Sequence, residues 1–121
     1  MADFEISTKF LPEGIALVEV RGYLDAHTFE IMENAVDSIF KKGIYKIIAN
    51  LSKLTYISSA GAGVFIGATG QAQEGKGNIV LFGLTPGVRE VFDLLGLSQI
   101  FTIVEDERSA LKVFDGNAAP A

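Results

Sequence analysis

The chain has 121 residues, a net charge of −5 at neutral pH and no cysteine. Its length suits one domain, and its apolar fraction of 49% is sufficient for a packed core, which disfavours global disorder. The acidic charge disfavours binding to nucleic acid or to an anionic membrane, because both require clustered Lys and Arg. The lack of cysteine excludes disulfides, zinc thiolate sites and thiol catalysis.

The N-terminal segment shows no secretory signal, since its first ten residues carry acids at Asp3 and Glu5. The longest apolar stretch surrounds residues 63–68, which is far short of the roughly 20 residues of a membrane span. We therefore expect a cytoplasmic protein with no membrane contact.

The first third of the chain predicts a hairpin followed by a helix. Two short apolar runs, residues 3–10 and 15–21, flank a turn that contains Pro and Gly. Apolar residues then recur at helical spacing after Asp25, which we predict to be the N-cap of this helix. Gly43, preceded by two lysines, predicts the end of the helix in a left-handed cap.

The middle of the chain predicts a buried strand over residues 45–51, a helix over 59–73 and another buried strand over 79–82. The predicted helix is rich in Gly and Ala, which would let it approach the sheet closely. At Gly63 in particular we expect any side chain to collide with the sheet or with a partner, because Gly is otherwise costly within a helix.

The last third predicts a helix, a strand and a terminal helix. Thr85 and Pro86 supply a capping hydroxyl and a proline at the first helical position, and Gly96 ends that helix. A strand over residues 100–104 and a helix over 105–114 follow. In the latter we expect Ala110, Leu111 and Phe114 to face inward, and residues 115–121 to form a frayed tail.

This order of elements predicts an α/β fold with four helices on a mixed, mostly parallel sheet. Strands that alternate with helices give parallel pairs with right-handed crossovers. The N-terminal hairpin adds one antiparallel pair. We expect one domain over residues 1–114.

The junction at residues 56–63 is the most distinctive segment and reads Tyr-Ile-Ser-Ser-Ala-Gly-Ala-Gly. It lies where a buried strand and its loop lead into a helix. The first turn of a helix has free N–H groups and a partial positive charge, so it tolerates a phosphate on an exposed serine. The alternative is that Ser58 and Ser59 only cap the helix, and spacing alone favours capping because Ser is a common N-cap.

Enzyme and metal sites find little support in the sequence. The glycines of residues 61–67 do not fit the dinucleotide fingerprint, because Ile66 stands at its third Gly, and no P-loop is present. Ser59 is not in a Gly-x-Ser-x-Gly elbow, and His27 is the only imidazole, which we expect in an exposed loop. One His and scattered carboxylates do not make a metal-ligand cluster.

Three segments in register resemble the anti-sigma factor antagonist (STAS) family. Residues 22–28 are similar to its Gly-x-Leu/Ile-Asp-x-x-Thr stretch. Residues 50–61 resemble the signature around its phosphorylated serine, and residues 85–97 resemble its third helix and the following turn. The likeness covers residues 4–114, includes the order of elements and reverses the preference for simple capping.

The resemblance implies site residues by position. The family's phosphoacceptor follows a frequent Asp, whose place is taken here by Ser58, so the acceptor corresponds to Ser59. Asp25 corresponds to the family's acid near the acceptor. The residues that the resemblance places at a partner surface, besides Ser59, are Asp25, Thr28, Ser58, Ala60, Gly61 and Gly63.

The resemblance also implies a non-enzymatic switch protein. Without phosphate, it would bind an anti-sigma factor that is also a serine kinase, and so free a sigma factor. The kinase would phosphorylate Ser59, and a metal-dependent serine phosphatase would reset the switch. ATP and magnesium belong to the kinase, so no cofactor or metal is assigned to this chain. The alternatives are a STAS scaffold or ligand sensor unconnected to a sigma factor and, less favoured, a nucleotide-binding protein or enzyme.

Overall fold

The computed structural model describes residues 4–115, which form one five-stranded sheet and four α-helices. The elements in chain order are β1 (Phe4–Leu11), β2 (Ile15–Leu24), α1 (Phe29–Lys41), β3 (Lys46–Ile57), α2 (Ser59–Glu74), β4 (Asn78–Phe82), α3 (Pro86–Leu94), β5 (Thr102–Val104) and α4 (Glu107–Val113). The predicted α/β fold is confirmed.

The sheet has the strand order β1-β2-β3-β4-β5. Only β1 and β2 run antiparallel, in register from Phe4 opposite Gly22 to Leu11 opposite Ile15, and the other pairs are parallel. The hairpin turn uses two left-handed residues, Glu13 and Gly14, with φ of 68° and 72°. The predicted arrangement of one antiparallel hairpin on a parallel sheet is therefore confirmed.

Alternating side chains of the strands supply a core on each face of the sheet, as β4 shows. Ile79 and Leu81 pack into the larger cluster under α1, α2 and α3, whereas Val80 and Phe82 pack into a smaller cluster that includes Ala110 of α4. Three helices thus cover one face, and the short α4 lies on the other.

Strand β3 is longer than the predicted run of residues 45–51. Its first part pairs with both β2 and β4, but β4 ends opposite Asn50. Beyond that point β3 continues beside β2 through two register shifts and buries Leu54 and Ile57. The prediction stopped early because the intervening residues are polar and exposed. The extension carries the chain directly to the start of α2.

The helix ends follow the predicted chemistry in most places. Gly43 and Gly96 have φ of 79° and 73°, and the Thr85 hydroxyl accepts a hydrogen bond from the Val88 N–H at 3.4 Å. The predicted strand over residues 100–104 is too long. A 3-10 helix (Leu97–Gln99) precedes it, and the chain first joins the sheet at Thr102.

The last helix is shorter than predicted, because Asp106 caps it through the Ser109 N–H at 2.8 Å. Ala110 is buried and Phe114 packs against the smaller cluster, as predicted. The inward prediction for Leu111 is wrong: it is 37% exposed, since its position lies about 100° around the helix from Ala110. Most of the predicted tail, residues 116–121, lies outside the described residues.

Candidate functional site

The junction between β3 and α2 is built around Ser58, which is the N-cap residue. Ser58 has an extended backbone, and its Oγ accepts a hydrogen bond from the Gly61 N–H at 3.3 Å. Its carbonyl oxygen accepts from the Ala62 N–H at 2.9 Å. The capping interpretation therefore holds for Ser58, whose hydroxyl satisfies one of the free N–H groups of the first turn.

Ser59 has a different environment, although it is the next residue. It is the first residue of α2 and is exposed, as is Ala60 after it. Within residues 4–115, its hydroxyl makes no hydrogen bond. The hydroxyl is thus open to solvent at the positive end of a helix of 16 residues.

The end of β2 lies directly against the start of α2. The Ser58 N–H donates to the Leu24 carbonyl oxygen at 3.0 Å. A Cβ at Gly61 would lie 2.6 Å from that same oxygen and 2.8 Å from the Leu24 Cγ. Gly61 is buried there, so the close contact between helix and strand requires a residue without a side chain.

Gly63 does not fulfil the prediction of a collision with the sheet. It is exposed, and a Cβ at Gly63 or Gly67 would meet no atom within 4 Å. The two glycines line a shallow groove of about 210 Å³ between α1 and α2, with Glu33 and Asp37 on the α1 side. The close approach that the sequence predicted occurs two residues earlier, at Gly61. Two residues correspond to about 200° of rotation around a helix, so Gly61 lies on the buried side of α2 and Gly63 on the exposed side.

The turn between β2 and α1 is closed by Asp25 and Thr28. Asp25 was predicted as the N-cap of α1, but this is wrong: Thr28 is the N-cap residue. The Asp25 carboxylate instead accepts from the His27 N–H at 2.9 Å. The Thr28 hydroxyl accepts from the Asp25 N–H at 3.0 Å and donates to the Tyr23 carbonyl oxygen at 2.7 Å. The helix begins later than predicted because these bonds form a separate turn.

The structure brings most of the predicted site residues to one edge of the sheet. Because Asp25 follows Leu24, the contact between Leu24 and Ser58 places the Asp25 turn beside the start of α2. Asp25 and Thr28 are half-buried, His27 is exposed as predicted, and Ser59 and Ala60 are exposed. Gly61 lies underneath this surface, and Gly63 lies farther along the exposed side of α2.

Two tyrosines at this edge were given no role in the sequence analysis. Tyr23 and Tyr56 are register partners on β2 and β3, with ring centroids 6.0 Å apart. Both are about half exposed. Each immediately precedes a buried residue of its strand, Leu24 or Ile57, so strand alternation could have indicated that both face the other way.

Residues 4–115 contain no group of three or more His, Asp or Glu side chains that could hold a metal ion. Among the same residues, no helix has both the length and the apolar character needed to cross a membrane.

Named relatives and solved structures resemble this chain. An anti-sigma-B factor antagonist of Listeria monocytogenes is 35% identical over 85 residues, which are 69% of this chain and 74% of that protein. An anti-sigma F factor antagonist of Paenibacillus polymyxa is 28% identical over 99 residues, 81% of this chain and 85% of that protein. The structure of unphosphorylated SpoIIAA, an anti-sigma factor antagonist, has a TM-score of 0.79 at 22% identity, covering 93% of this chain and 97% of SpoIIAA.

The family assignment rests on most of the chain. The model of the STAS domain matches residues 9–110. That range contains the end of β1, the parallel strands, the β3–α2 junction and the start of α4 described above. The chain therefore belongs to the STAS domain family.

Proposed function

We propose that this protein is an anti-sigma factor antagonist that acts in the cytoplasm by partner switching and has no enzymatic activity of its own. The unphosphorylated form binds an anti-sigma factor with serine kinase activity and thereby releases a sigma factor. Phosphorylation of Ser59 ends this binding, and a metal-dependent serine phosphatase restores it.

The observation that carries the proposal is the contrast between Ser58 and Ser59. The Ser58 hydroxyl is half-buried and engaged with the Gly61 N–H, whereas the Ser59 hydroxyl is exposed at the first position of α2. In the transfer, Ser59 Oγ attacks the γ-phosphorus of the kinase's ATP, ADP leaves, and a base of the kinase takes the hydroxyl proton. An exposed hydroxyl suits this reaction because it need not give up a structural bond.

The local charges explain how one phosphate could control binding. Phosphoserine carries about −1.5 to −2 charges at neutral pH. The N-terminus of α2 offers it a partial positive charge, worth about 0.3–1 kcal/mol, so the fold itself accommodates the modification. The same dianion would repel an acidic partner surface docked over the Asp25 turn and Ser59. A change of about 1.4 kcal/mol in binding free energy is sufficient for a tenfold change in affinity.

The relatives support a role in this class of regulation. Those of Listeria monocytogenes and Paenibacillus polymyxa are named antagonists of anti-sigma factors. SpoIIAA is described as a Bacillus cell fate determinant, and its phosphorylated form has a TM-score of 0.70 to this chain. A partner that is an anti-sigma factor follows from those names, whereas the kinase, the phosphatase and the acceptor residue are proposed for this chain.

The proposal is tested by intact-mass spectrometry after incubation with ATP and the anti-sigma kinase from the same genome. Wild type should gain one phosphate, Ser59→Ala should gain none, and Ser58→Ala should still gain one. Equal labelling of Ser59→Ala and wild type would reject Ser59 as the acceptor. Absence of labelling in wild type, with a kinase shown to be active, would reject the switch and favour a scaffold or ligand-sensing role.

A further inference from the structure

The two tyrosines at the ends of β2 and β3 form an exposed aromatic pair. Tyr23 and Tyr56 are 53% and 46% exposed, and their rings are tilted by 41° with centroids 6.0 Å apart. We call them the tyrosine pair. Their neighbours Leu24 and Ile57 point into the core beneath α1, α2 and α3, so the tyrosine pair lies on the opposite face of the sheet. Among residues 4–115, the helix on that face is α4, which packs near Ile15 at the other end of β2.

The fold itself does not require aromatic residues at these two positions. Phe65, Phe92 and Phe101 make their ring contacts inside the core, whereas both residues of the tyrosine pair are about half exposed. A small β-branched residue would satisfy an exposed strand position equally well. Tyrosine is among the residue types that supply most of the binding energy at many protein interfaces.

The charges beside the tyrosine pair compensate one another. The Arg21 guanidinium lies 3.8 Å from a Glu5 carboxylate oxygen and 3.7 Å from one of Glu19, and the Lys53 ammonium lies 3.8 Å from Glu19. Two cations therefore face two carboxylates. The tyrosine pair and these four side chains carry no net charge among them, and the Asp25 carboxylate belongs to the turn beside the start of α2. The patch at the tyrosine pair therefore favours an uncharged apolar side chain, because a charged one would be desolvated where the possible partners are already paired.

The tyrosine pair is continuous with the surface around Ser59. The Tyr23 carbonyl oxygen accepts a hydrogen bond from Thr28, which closes the Asp25 turn. Tyr56 precedes Ser59 by three residues, and its strand neighbour Thr55 donates to the Gly22 carbonyl oxygen at 3.0 Å. These bonds hold the ends of β2 and β3, from which both rings project, beside the start of α2. A protein that covers the Ser59 hydroxyl and extends past the carboxyl ends of β2 and β3 would also reach the tyrosine pair.

We propose that the tyrosine pair is a docking surface for an uncharged aliphatic or aromatic side chain of the anti-sigma kinase. This inference rests on the proposed function, since it concerns the same partner. The tyrosine pair would supply affinity that does not depend on the phosphorylation state, while Ser59 would supply the switch. The kinase would thus contact both the helix-covered side of this edge and the opposite face of the sheet.

The test is a binding titration of the kinase against a Tyr23→Thr, Tyr56→Thr double variant. Threonine removes both rings but keeps strand propensity. We expect binding weaker by about tenfold or more, as is typical of interface hot spots. The double Tyr→Phe variant should bind within about twofold of wild type, because the rings remain. Phe10→Thr is a matched control, since Phe10 is 49% exposed on β1 at the opposite end of the hairpin.

Unchanged affinity of the Thr double variant, with wild type bound and phosphorylated, would overturn the tyrosine docking surface and leave the proposed function intact. Equal weakening by Phe10→Thr would also overturn it, because the loss would not be specific to the tyrosine pair. If wild type neither binds the kinase nor is phosphorylated by it, both proposals fail. Thermal unfolding shows whether each variant is folded. If the double variant is not, the two single Thr variants are tested in its place, with the same comparison of kinase affinity.

Discussion

Helix α2 has a glycine on its buried side, Gly61, and another on its exposed side, Gly63, and the space around the two differs. Gly61 is buried, and a Cβ there would lie 2.6 Å from the Leu24 carbonyl oxygen. Gly63, two residues later and about 200° around the helix, has open space where its Cβ would be. Glycine is therefore a steric requirement on one side. On the other side it costs helix stability without a compensating contact in the described chain.

The largest effect should come from Gly61→Ala. The added methyl would overlap the backbone of β2, which can move only by separating the strand from the helix. We expect a loss of about 3 kcal/mol in the free energy of unfolding, typical of severe overpacking. Urea denaturation measures this directly. A variant as stable as wild type would show that β2 and α2 are not held as closely as described.

The buried side of α2 also holds an unsatisfied hydroxyl. Thr69 is only 5% exposed, and its Oγ1 finds no hydrogen-bond partner within residues 4–115. Thr69→Val keeps the shape and removes the buried polar atom, so we expect stabilisation by about 1–2 kcal/mol. Exposed Thr8→Val on β1 is the control and should change stability little. A destabilised Thr69→Val would mean that the hydroxyl has a partner, such as a buried water.

Gly63→Ala should have the opposite sign to Gly61→Ala. With no atom within 4 Å of the new methyl, the variant gains helix propensity of about 1 kcal/mol. Parallel denaturation of the two Ala variants would therefore give shifts in opposite directions. A loss of stability at Gly63 would remove the distinction between the two sides of the helix. Normal folding of Gly63→Leu with weakened kinase binding would assign this glycine to the partner surface.

The smallest effect on stability should come from the N-cap residues, which differ in charge between α2 and α4. Ser58 is a neutral cap, whereas Asp106 is an exposed charged cap. Hydrogen bonds from the Ser109 backbone and then its side chain lower the pKa of the Asp106 carboxyl below its ordinary value. Its contribution to stability is present above the unfolded-state pKa and is lost as pH falls through the lower folded-state pKa. In Asp106→Asn, the free energy of unfolding should therefore fall slightly less than in wild type as the pH is lowered below about 4. Ser58→Ala should leave the pH dependence of the free energy of unfolding unchanged.

The sequence predicted the ends of helices correctly where one residue's own backbone conformation or hydroxyl sets the boundary. Gly43, Thr85 and Gly96 marked helix boundaries correctly because each acts through its own backbone or hydroxyl. Asp25 was misassigned because both a helix cap and a separate turn can use an aspartate followed by Thr. The end of β3 was missed because its polar residues are held in place by pairing with β2, which lies far away in sequence.

The site was predictable in position but not in detail. The motif placed Ser58 and Ser59 at the start of a helix, yet only the structure separates the engaged hydroxyl from the exposed one. The roles of Gly61 and Gly63 could not be distinguished because helix rotation decides which one faces Leu24. The tyrosine pair depends on the register between β2 and β3, which two irregularities shift.

The most direct test of the switch is the affinity of the anti-sigma kinase for the protein with and without phosphate on Ser59. Calorimetric titration of stoichiometrically phosphorylated protein, with Ser59→Ala as the matched unphosphorylated form, gives both dissociation constants. We predict that phosphate weakens binding at least about tenfold, and that raising the salt concentration reduces the difference because the effect is electrostatic. Equal affinities of the two forms would contradict a switch at Ser59.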